Sequence, residues 1–329
     1  SEVPDRIGAP IGPVPPISSD PPFHAEARRL LLPAFSPKKI DPWREEVIEI
    51  CNKLIDDMGD ADHIDAALQY SQHIPVMVIA RMLGLPVEDG DRFRGWVNLV
   101  LSGIGEERTE ERMAKFEEFN EYLAYHVNDH MENPREDLIS FLLNAEIMGQ
   151  KLSLEHTVGT VILLLIAGID TTWSGIGSSL WHLASNSVDR RRLVENPDMI
   201  PAAIEEFLRA YAPVTMARIV KEDMEFHGVQ MKQEDWVLLP FPAANRDDKQ
   251  FEDAHIVQID REENRHAAFG LGIHRCLGSN LARLEMNVAI EVFLQRFPDF
   301  SVDPNEMVTW STGQVRGPRS LPFVVNARA

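Results

Sequence analysis

Apolar residues recur at helical spacing through most of the first two-thirds of this chain. Between Trp43 and Met58 they fall on one face with a period of 3.6 residues, which predicts an amphipathic helix with Cys51 on its core side. The same pattern predicts helices over residues 63–83, 91–103, 107–133, 135–148, 153–185, 199–211 and about 278–296. The predicted start signals are Ser153 and Asp198, and the predicted stop signals are Gly84 and Gly149.

The pattern changes between Val214 and Val257. Short β-branched or aromatic segments at 216–220, 224–226 and 236–240 are separated by Gly228 and polar turns, which predicts short strands. Residues 1–22 are rich in proline and glycine and predict an irregular segment. No linker divides the chain, so we expect one domain over residues 1–329, mainly α, helix-rich with small β-sheets.

Charge and cysteine usage narrow the classes of function. The chain has 32 basic and 52 acidic residues, a net charge of -20, which argues against nucleic acid or an anionic membrane as the main partner. The longest uncharged apolar run, 158–169, is shorter than the roughly 20 residues that a membrane helix needs. Two distant cysteines and no apolar N-terminal signal predict a soluble cytoplasmic protein without disulfides.

Cys276 lies in a glycine-framed loop, FGLGIHRCLG at 269–278, where the last helix is predicted to begin. The helix dipole and Arg275 both favour the thiolate, which is a nucleophile or a metal ligand. Glycines at 270, 272 and 278 leave room for a bulky flat group against the backbone. A buried structural cysteine is the alternative. A hydrolase pair with His274 is disfavoured, because residues so close on a turn rarely orient nucleophile and base together.

A carboxylate and two hydroxyls interrupt the most apolar predicted helix, in the segment AGIDTT at 167–172. Burying Asp170, Thr171 and Thr172 costs several kcal/mol unless they find partners, and Gly168 costs about 1 kcal/mol relative to alanine. A threonine hydroxyl can bond to the carbonyl four residues earlier, and a glycine lets the helix widen there. The segment therefore predicts either a groove for dioxygen and water or a kinked helix with satisfied side chains.

Two further sets of charged residues carry little information alone. Glu206 and Arg209 are three apart on one helix face and can pair, as many surface residues do. Five basic residues lie near apolar segments, and each alone is typical of solvated surface. Together they have the charge to bind a buried dianionic cofactor; they are His24, Arg28, Arg218, Arg261 and His266.

In combination these motifs resemble the cytochrome P-450 family of haem-thiolate monooxygenases. The cysteine loop of that family, Phe-x-x-Gly-x-x-x-Cys-x-Gly, is matched by Phe269, Gly272, Cys276 and Gly278. Its oxygen-activating helix, Ala-Gly-x-Asp/Glu-Thr-Thr, is matched at 167–172. Its Glu-x-x-Arg is matched by Glu206 and Arg209, and the arginine that completes that network falls on Arg261. The resemblance covers residues 21–322 and is greatest to bacterial soluble members.

The resemblance implies a cytochrome P-450 fold with haem b as cofactor. Cys276 would be the axial iron ligand, and Asp170 with Thr171 the acid and alcohol that relay protons during dioxygen activation. Glu206, Arg209 and Arg261 would brace the fold. The residues expected to contact haem, the basic ones through its propionates, are His24, Arg28, Arg218, His266, Phe269, Gly270, Arg275, Gly278, Ala167 and Gly168; Arg275 either helps bind propionate or faces the electron donor.

The resemblance also implies a reaction. One atom of dioxygen would enter a hydrophobic or aromatic small molecule, by hydroxylation, epoxidation or O-dealkylation. The electrons would come from NAD(P)H through a flavin and iron-sulfur partner, in trans or fused. The residues expected to contact substrate are Leu164, Ala167, Val214, Thr215 and Met216.

Two alternatives and one departure accompany this expectation. A peroxide-driven haem enzyme often lacks the acid and alcohol, and a haem-binding sensor has no need of them, so Asp170 and Thr171 favour dioxygen chemistry. Members of the family normally begin with roughly one hundred further residues, about the length of a small domain, before the segment that starts here. We therefore expect this sequence to be truncated at its N-terminus.

Overall fold

Helices dominate the computed structural model, which describes residues 13–102 and 109–328. The α-helices are α1 Phe23–Leu31, α2 Pro37–Ile40, α3 Arg44–Asp57, α4 His73–Leu83, α5 Gly90–Ser102, α6 Glu110–Glu132, α7 Leu138–Leu143, α8 Leu154–Ser185, α9 Ser187–Glu195, α10 Ile200–Ala210, α11 Phe241–Ala244 and α12 Ser279–Arg296. A π-helix covers Ala67–Ser71, and 3-10 turns cover Leu32–Phe35, Asp41–Trp43, Val87–Asp89, Pro197–Met199 and Gly272–His274.

The strands are short and pair antiparallel. They are β1 His63–Asp65, β2 Glu146–Ile147, β3 Gln150–Lys151, β4 Thr215–Ile219, β5 Met224–Phe226, β6 Val229–Met231, β7 Trp236–Pro240, β8 Asp299–Val302, β9 Thr309–Trp310, β10 Pro318–Ser320 and β11 Pro322–Ala327. One sheet has the order β1-β11-β8, and β2-β3, β4-β7, β5-β6 and β10-β9 form two-stranded sheets.

Helix α8 runs through the core and packs against α4, α5, α6 and α12. The Ser153 side chain accepts a hydrogen bond from the His156 backbone at 3.1 Å and caps its N-terminus. By length and composition α8 is apolar enough to cross a membrane, but 67% of its apolar window is buried inside the protein. That burial is typical of a core helix, and it places the polar segment of α8 deep in the fold.

The long periodic segments are confirmed as helices. Prediction and structure agree for α3, α8 and α12, for a buried Cys51, and for a left-handed Gly84 (φ 76°) at the end of α4. Helix α10 agrees too, but a 3-10 turn precedes it and Asp198 does not cap it. Of the predicted bounds of α5 and α6, Gly103 and residues 107–108 lie outside the described residues.

Two predicted helices are wrong in part. Residues 63–65 form β1, because they pair with residues 322–324 of β11. Helix α7 ends at Leu143, and the rest of the predicted segment forms the β2-β3 hairpin. Met148 and Gly149 have positive φ at its turn, so Gly149 closes a hairpin rather than a helix.

The predicted strands at 216–220, 224–226 and 236–240 are confirmed as β4, β5 and β7. Helix α9 and the C-terminal strands β8 to β11 were not predicted. Residues 13–22 form turns without helix or strand, as expected, while residues 1–12 lie outside the described part of the chain. The elements that matter for function are α8, the cysteine loop before α12, and β4.

Candidate functional site

The segment from Phe269 to Gly278 folds into a compact loop before α12. The Cys276 backbone N–H donates to the Phe269 carbonyl at 2.7 Å, which closes the loop. Gly270 and Gly272 take positive φ values of 68° and 71°, a conformation that side chains rarely adopt. The loop thereby presents Cys276 to an internal cavity.

This cavity lies between the cysteine loop, α8 and β4, with a volume of about 300 Å³. Its walls are mainly apolar, as ligand pockets commonly are. From α8 it is lined by Leu163, Leu164, Ile166, Ala167, Gly168, Thr171 and Thr172, and from the loop by Phe269, Gly270, His274, Arg275, Cys276, Leu277 and Gly278. The structure thus brings the two main sequence motifs to opposite sides of one cavity.

Strand β4 contributes alternate residues to the cavity wall. Val214, Met216 and Arg218 line it, whereas Thr215 does not. Successive side chains of a strand point to opposite faces, so Thr215 faces the other side. Of the residues expected to contact substrate, the structure brings Leu164, Ala167, Val214 and Met216 together and leaves Thr215 out.

One part of the cavity wall carries an excess of positive charge. Arg28 donates to the Arg275 carbonyl, and Arg218 donates to the Ala217 carbonyl at 2.8 Å. Within the described ranges 13–102 and 109–328, neither guanidinium forms an ion pair with a carboxylate. Burial lowers the pKa of Arg28, as expected for a cation held away from water.

Two histidines adjoin these arginines. The His24 and His274 rings are 4.3 Å apart, and both line the cavity. His24 is 2% exposed, and its Nε2 has no hydrogen-bond partner among the described residues. Burial, followed by the charge of Arg28, lowers the pKa of His24, and burial with neighbouring cationic groups lowers that of His274 to about 4. Buried polar atoms are normally paired, so the unpaired Nε2 indicates that a ligand in the cavity supplies its hydrogen-bond partner.

The residues present fit haem. The unpaired guanidiniums and the His24 nitrogen suit anionic propionates at one edge of a large apolar ligand. A Cβ at Gly278 would meet no atom within 4 Å, so this glycine borders open space in the cavity. Cys276 supplies a sulfur ligand, and both cysteines of the chain are free.

Cys276 opens onto the cavity, although it lies deep below the outer surface of the protein. Burial raises the pKa of its thiol, while the Gly278 backbone and the guanidiniums of Arg28, Arg275 and Arg283 lower it. Burial is the largest of these effects, while Arg275 favours the thiolate as expected. A metal cation bound at this sulfur would add further positive charge that stabilises the thiolate.

On α8, Thr171 faces the cavity and Asp170 does not. The Thr171 hydroxyl donates to the Ala167 carbonyl at 2.7 Å, and the α-helix is uninterrupted there, so no widened turn frees that carbonyl. Asp170 is 7% exposed and pairs with Arg319 of β10 at 2.8 Å. Burial raises the pKa of Asp170, and Arg319 opposes that shift.

His266 is not brought to the cavity. Its side chain is 3% exposed, and its Nε2 lies 3.1 Å from Glu205, which Arg283 also contacts. The Nε2 atom of this buried imidazole is paired with the Glu205 carboxylate, so it is not directed at the cavity. Nothing in the local charge pattern predicts this partner, which lies 61 positions away.

The three residues expected to brace the fold do meet. Arg209 donates from Nε and Nη2 to Glu206, both at 2.7 Å, and Arg261 reaches Glu206 at 3.1 Å. Glu206 and Arg209 are fully buried, and Arg209 also donates to backbone carbonyls of Asn245, Ala254 and Ile256. This buried network fixes α10 against the chain before the cysteine loop.

Three polar residues line the cavity without having been predicted to contact a ligand: His274, Glu285 and Gln314. His274 lies two residues before Cys276 in the same loop, and that proximity was a usable signal for a cavity position. Glu285 follows the core stripe of α12, where a carboxylate among apolar residues was the signal. Gln314 lies in an irregular segment and gave none.

Comparisons with known proteins agree with this geometry. The family model described as Cytochrome P450 matches residues 66–315. The chain is 35% identical over 310 residues to polyketide biosynthesis cytochrome P450 PksS of Bacillus subtilis, covering 93% of this chain and 76% of that protein. It is 36% identical to mycinamicin IV hydroxylase/epoxidase of Micromonospora griseorubida, covering 94% and 79%. Among solved structures, CYP109E1 of Bacillus megaterium in complex with testosterone superposes with a TM-score of 0.88 at 35% identity, covering 94% and 82%.

Proposed function

Because the chain belongs to the cytochrome P450 family, we propose that this P450 monooxygenase inserts one atom of dioxygen into a hydrophobic or aromatic small molecule in the cytoplasm. The observation that carries the proposal is a sulfur, Cys276, that opens onto an apolar cavity whose opposite wall is the polar segment of α8. We further propose that residues 1–329 act as one haem-binding domain.

When bound, haem supplies dioxygen activation and the transfer of one oxygen atom to substrate. Cys276 would hold the haem iron through its sulfur, and the loop residues Phe269, Gly270 and Gly278 and the helix residues Ala167 and Gly168 would contact the haem. The proposed propionate partners are His24, Arg28, Arg218, His274 and Arg275. His266 is omitted from this set, since its partner is Glu205.

Thr171 is the proposed proton-handling group of the cavity. Its hydroxyl hydrogen is directed to the Ala167 carbonyl, so the oxygen presents its lone pairs to the cavity and accepts a hydrogen bond there. Asp170 is the proposed acid that returns a proton to the Thr171 hydroxyl. Its ion pair with Arg319 holds it outside the cavity between proton transfers. Proton delivery through Asp170 then requires that this pair open.

The substrate is proposed to lie against Leu164, Ala167, Val214 and Met216. These side chains are apolar, which favours a substrate that binds by burying apolar surface rather than through charged groups. Two similar proteins, mycinamicin IV hydroxylase/epoxidase and CYP109E1 in complex with testosterone, support substrates of this character. Hydroxylation, epoxidation and O-dealkylation all fit, with electrons from NAD(P)H through a flavin and iron-sulfur partner.

The proposal is tested by spectroscopy and by turnover. Reduced protein treated with carbon monoxide is expected to show the red-shifted absorption of sulfur-bound iron, and Cys276→Ser is expected to lose it. Oxidation of a ligand that displaces iron-bound water is then measured with NAD(P)H and a surrogate reductase, beside a peroxide-driven assay. Product only with peroxide would overturn the dioxygen mechanism, and no product in either assay would favour a sensor.

Thr171→Ala provides a sharper test of the proton-handling role. The variant is expected to consume NAD(P)H at a rate near that of wild type but to release peroxide instead of product, lowering coupling by about 10²-fold or less. The measurement is product formed per NAD(P)H consumed, with Thr157→Ala, a buried threonine of the same helix away from the cavity wall, as control. Unchanged coupling in Thr171→Ala would contradict the role.

A further inference from the structure

A second ion network lies beside the cysteine loop and has no part in the function proposed above. Arg283 of α12 grips Glu205 of α10 with two hydrogen bonds, Nε to Oε1 at 2.6 Å and Nη2 to Oε2 at 2.9 Å. His266 reaches Oε2 of the same carboxylate at 3.1 Å. The paired geometry of arginine and carboxylate is strong and directional, and it joins three separate segments of the chain.

This network is coupled to the loop through Phe269. The Arg283 guanidinium lies 4.5 Å from the Phe269 ring centroid, a cation–π contact. The Ala268 N–H donates to His266 Nδ1 at 3.2 Å, which leaves the ring proton on Nε2, directed at Glu205. The Phe269 carbonyl in turn accepts from the Cys276 N–H at 2.7 Å. A chain of contacts therefore joins Arg283 to the backbone of Cys276.

The network also carries charge. Burial raises the pKa of Glu205, but hydrogen bonds from Arg283 and His266 outweigh it and bring that pKa to about 2, so the carboxylate is ionised. The positive charge of Arg283 lies against Phe269 of the cysteine loop. Glu205 and Arg283 side chains are 31% and 29% exposed, and charges in such partly buried places are screened less than surface charges.

We propose that Glu205 and Arg283 are positioning residues that set the reduction potential of the haem bound through Cys276. Arg283 acts by its positive charge and its contact with Phe269. Glu205 holds Arg283 in place and partly cancels its charge. The inference rests on the proposed function, since it needs sulfur-bound haem. Adding one electron makes the bound group more negative by one charge, so a nearby cation favours the reduced state and a nearby anion opposes it.

The two residues therefore have opposite effects, which a merely structural role does not predict. Arg283→Met removes the cation and leaves Glu205 with the His266 hydrogen bond, so the reduction potential is expected to fall below that of wild type. Glu205→Gln keeps the side-chain shape and removes the anion, so the potential is expected to rise. Both are measured by dithionite titration of haem-loaded protein, with the carbon monoxide spectrum recorded for each.

Two further variants separate charge from shape. Arg283→Lys keeps the positive charge and loses the bidentate contact with Glu205. Its reduction potential is therefore expected to lie nearer to that of wild type than the potential of Arg283→Met does. We also expect this variant to lose haem to an acceptor protein faster than wild type. Glu291→Gln is the matched control, because Glu291 is also on α12, is 30% exposed and pairs with Arg44. Its potential is expected to equal that of wild type.

Each outcome decides the inference. Opposite shifts in Arg283→Met and Glu205→Gln, both larger than the shift in Glu291→Gln, support it. Shifts of the same sign, shifts no larger than the control, or an Arg283→Lys potential equal to that of Arg283→Met overturn it. If the wild-type protein lacks the absorption of sulfur-bound iron, the proposed function itself fails, and that result is distinct from a failure in the variants alone.

Discussion

Glu285 gives the protein a stability that depends on pH, and Glu285→Gln is expected to remove that dependence. Glu285 lies on α12, is 2% exposed, and its Oε2 has no hydrogen-bond partner among the described residues. Burial raises its pKa to about 8. An unfolded glutamate titrates near about 4.3, so at neutral pH the folded protein holds a proton here that the unfolded chain releases.

The magnitude follows from the two pKa values. Between about pH 4.3 and about pH 8 the folded state binds more protons than the unfolded state, so the free energy of unfolding falls by up to about 1.4 kcal/mol per pH unit. Over the whole window the loss approaches about 5 kcal/mol, an upper figure because buried groups relax. Below the unfolded pKa the effect vanishes, and above pH 8 it is constant.

The assay is urea unfolding at several pH values, followed by tryptophan fluorescence, for wild type, Glu285→Gln and the apolar variant Glu285→Met. The contribution of other groups cancels in the difference from wild type. Cys51, whose pKa responds to the charge of Glu285, does not change charge in this window, because burial raises its pKa to about 12. Burial likewise raises the pKa of Tyr70, which interacts with Cys51, well above its ordinary value. A difference that stays constant between about pH 5 and about pH 8 would refute the reasoning.

Two further predictions concern α8 and α10. A Cβ at Gly175 would lie 3.1 Å from the sulfur of Met286, which lines the cavity. Gly175→Ala should therefore displace Met286 and change the spectral dissociation constants of large ligands by up to about tenfold, about 1.4 kcal/mol. Constants for large ligands equal to those of wild type would contradict this. Arg209→Met removes the main partner of Glu206 in a fully buried site, so it should lower the free energy of unfolding by about 3–5 kcal/mol, measured with urea. Arg296→Met breaks a half-exposed pair with Asp56 and should lower it by less than about 1 kcal/mol.

Much of the helical architecture and the loop of the site could be predicted because their signals are local. Helix α8 has a capping serine and an unbroken apolar pattern, and the cysteine loop carries its glycines and Cys276 within ten positions. The alternation of β4 was equally local, and applying it would have excluded Thr215 from the cavity wall. Features that depend on a few neighbouring residues could therefore be predicted.

The remaining features depend on partners far along the chain. Asp170 turns out of the cavity toward Arg319, 149 positions away, and His266 is held by Glu205, 61 positions away. No periodicity encodes such pairs. The same reason explains the error at residues 63–65, where an apolar centre between polar residues fits a helix or a strand until β11 is known as its neighbour.

The pairing of β1 with β11 has a consequence for the synthesis of the protein. Asp65 accepts hydrogen bonds from the Leu321 backbone at 2.9 Å and from Ser320 Oγ at 2.6 Å, so a segment early in the sequence is joined to one near position 321. Contacts between residues so far apart form late, because the intervening polypeptide has to be ordered first. On the ribosome, β1 therefore keeps an unpaired edge until residues 322–324 have been synthesised, about 257 positions later.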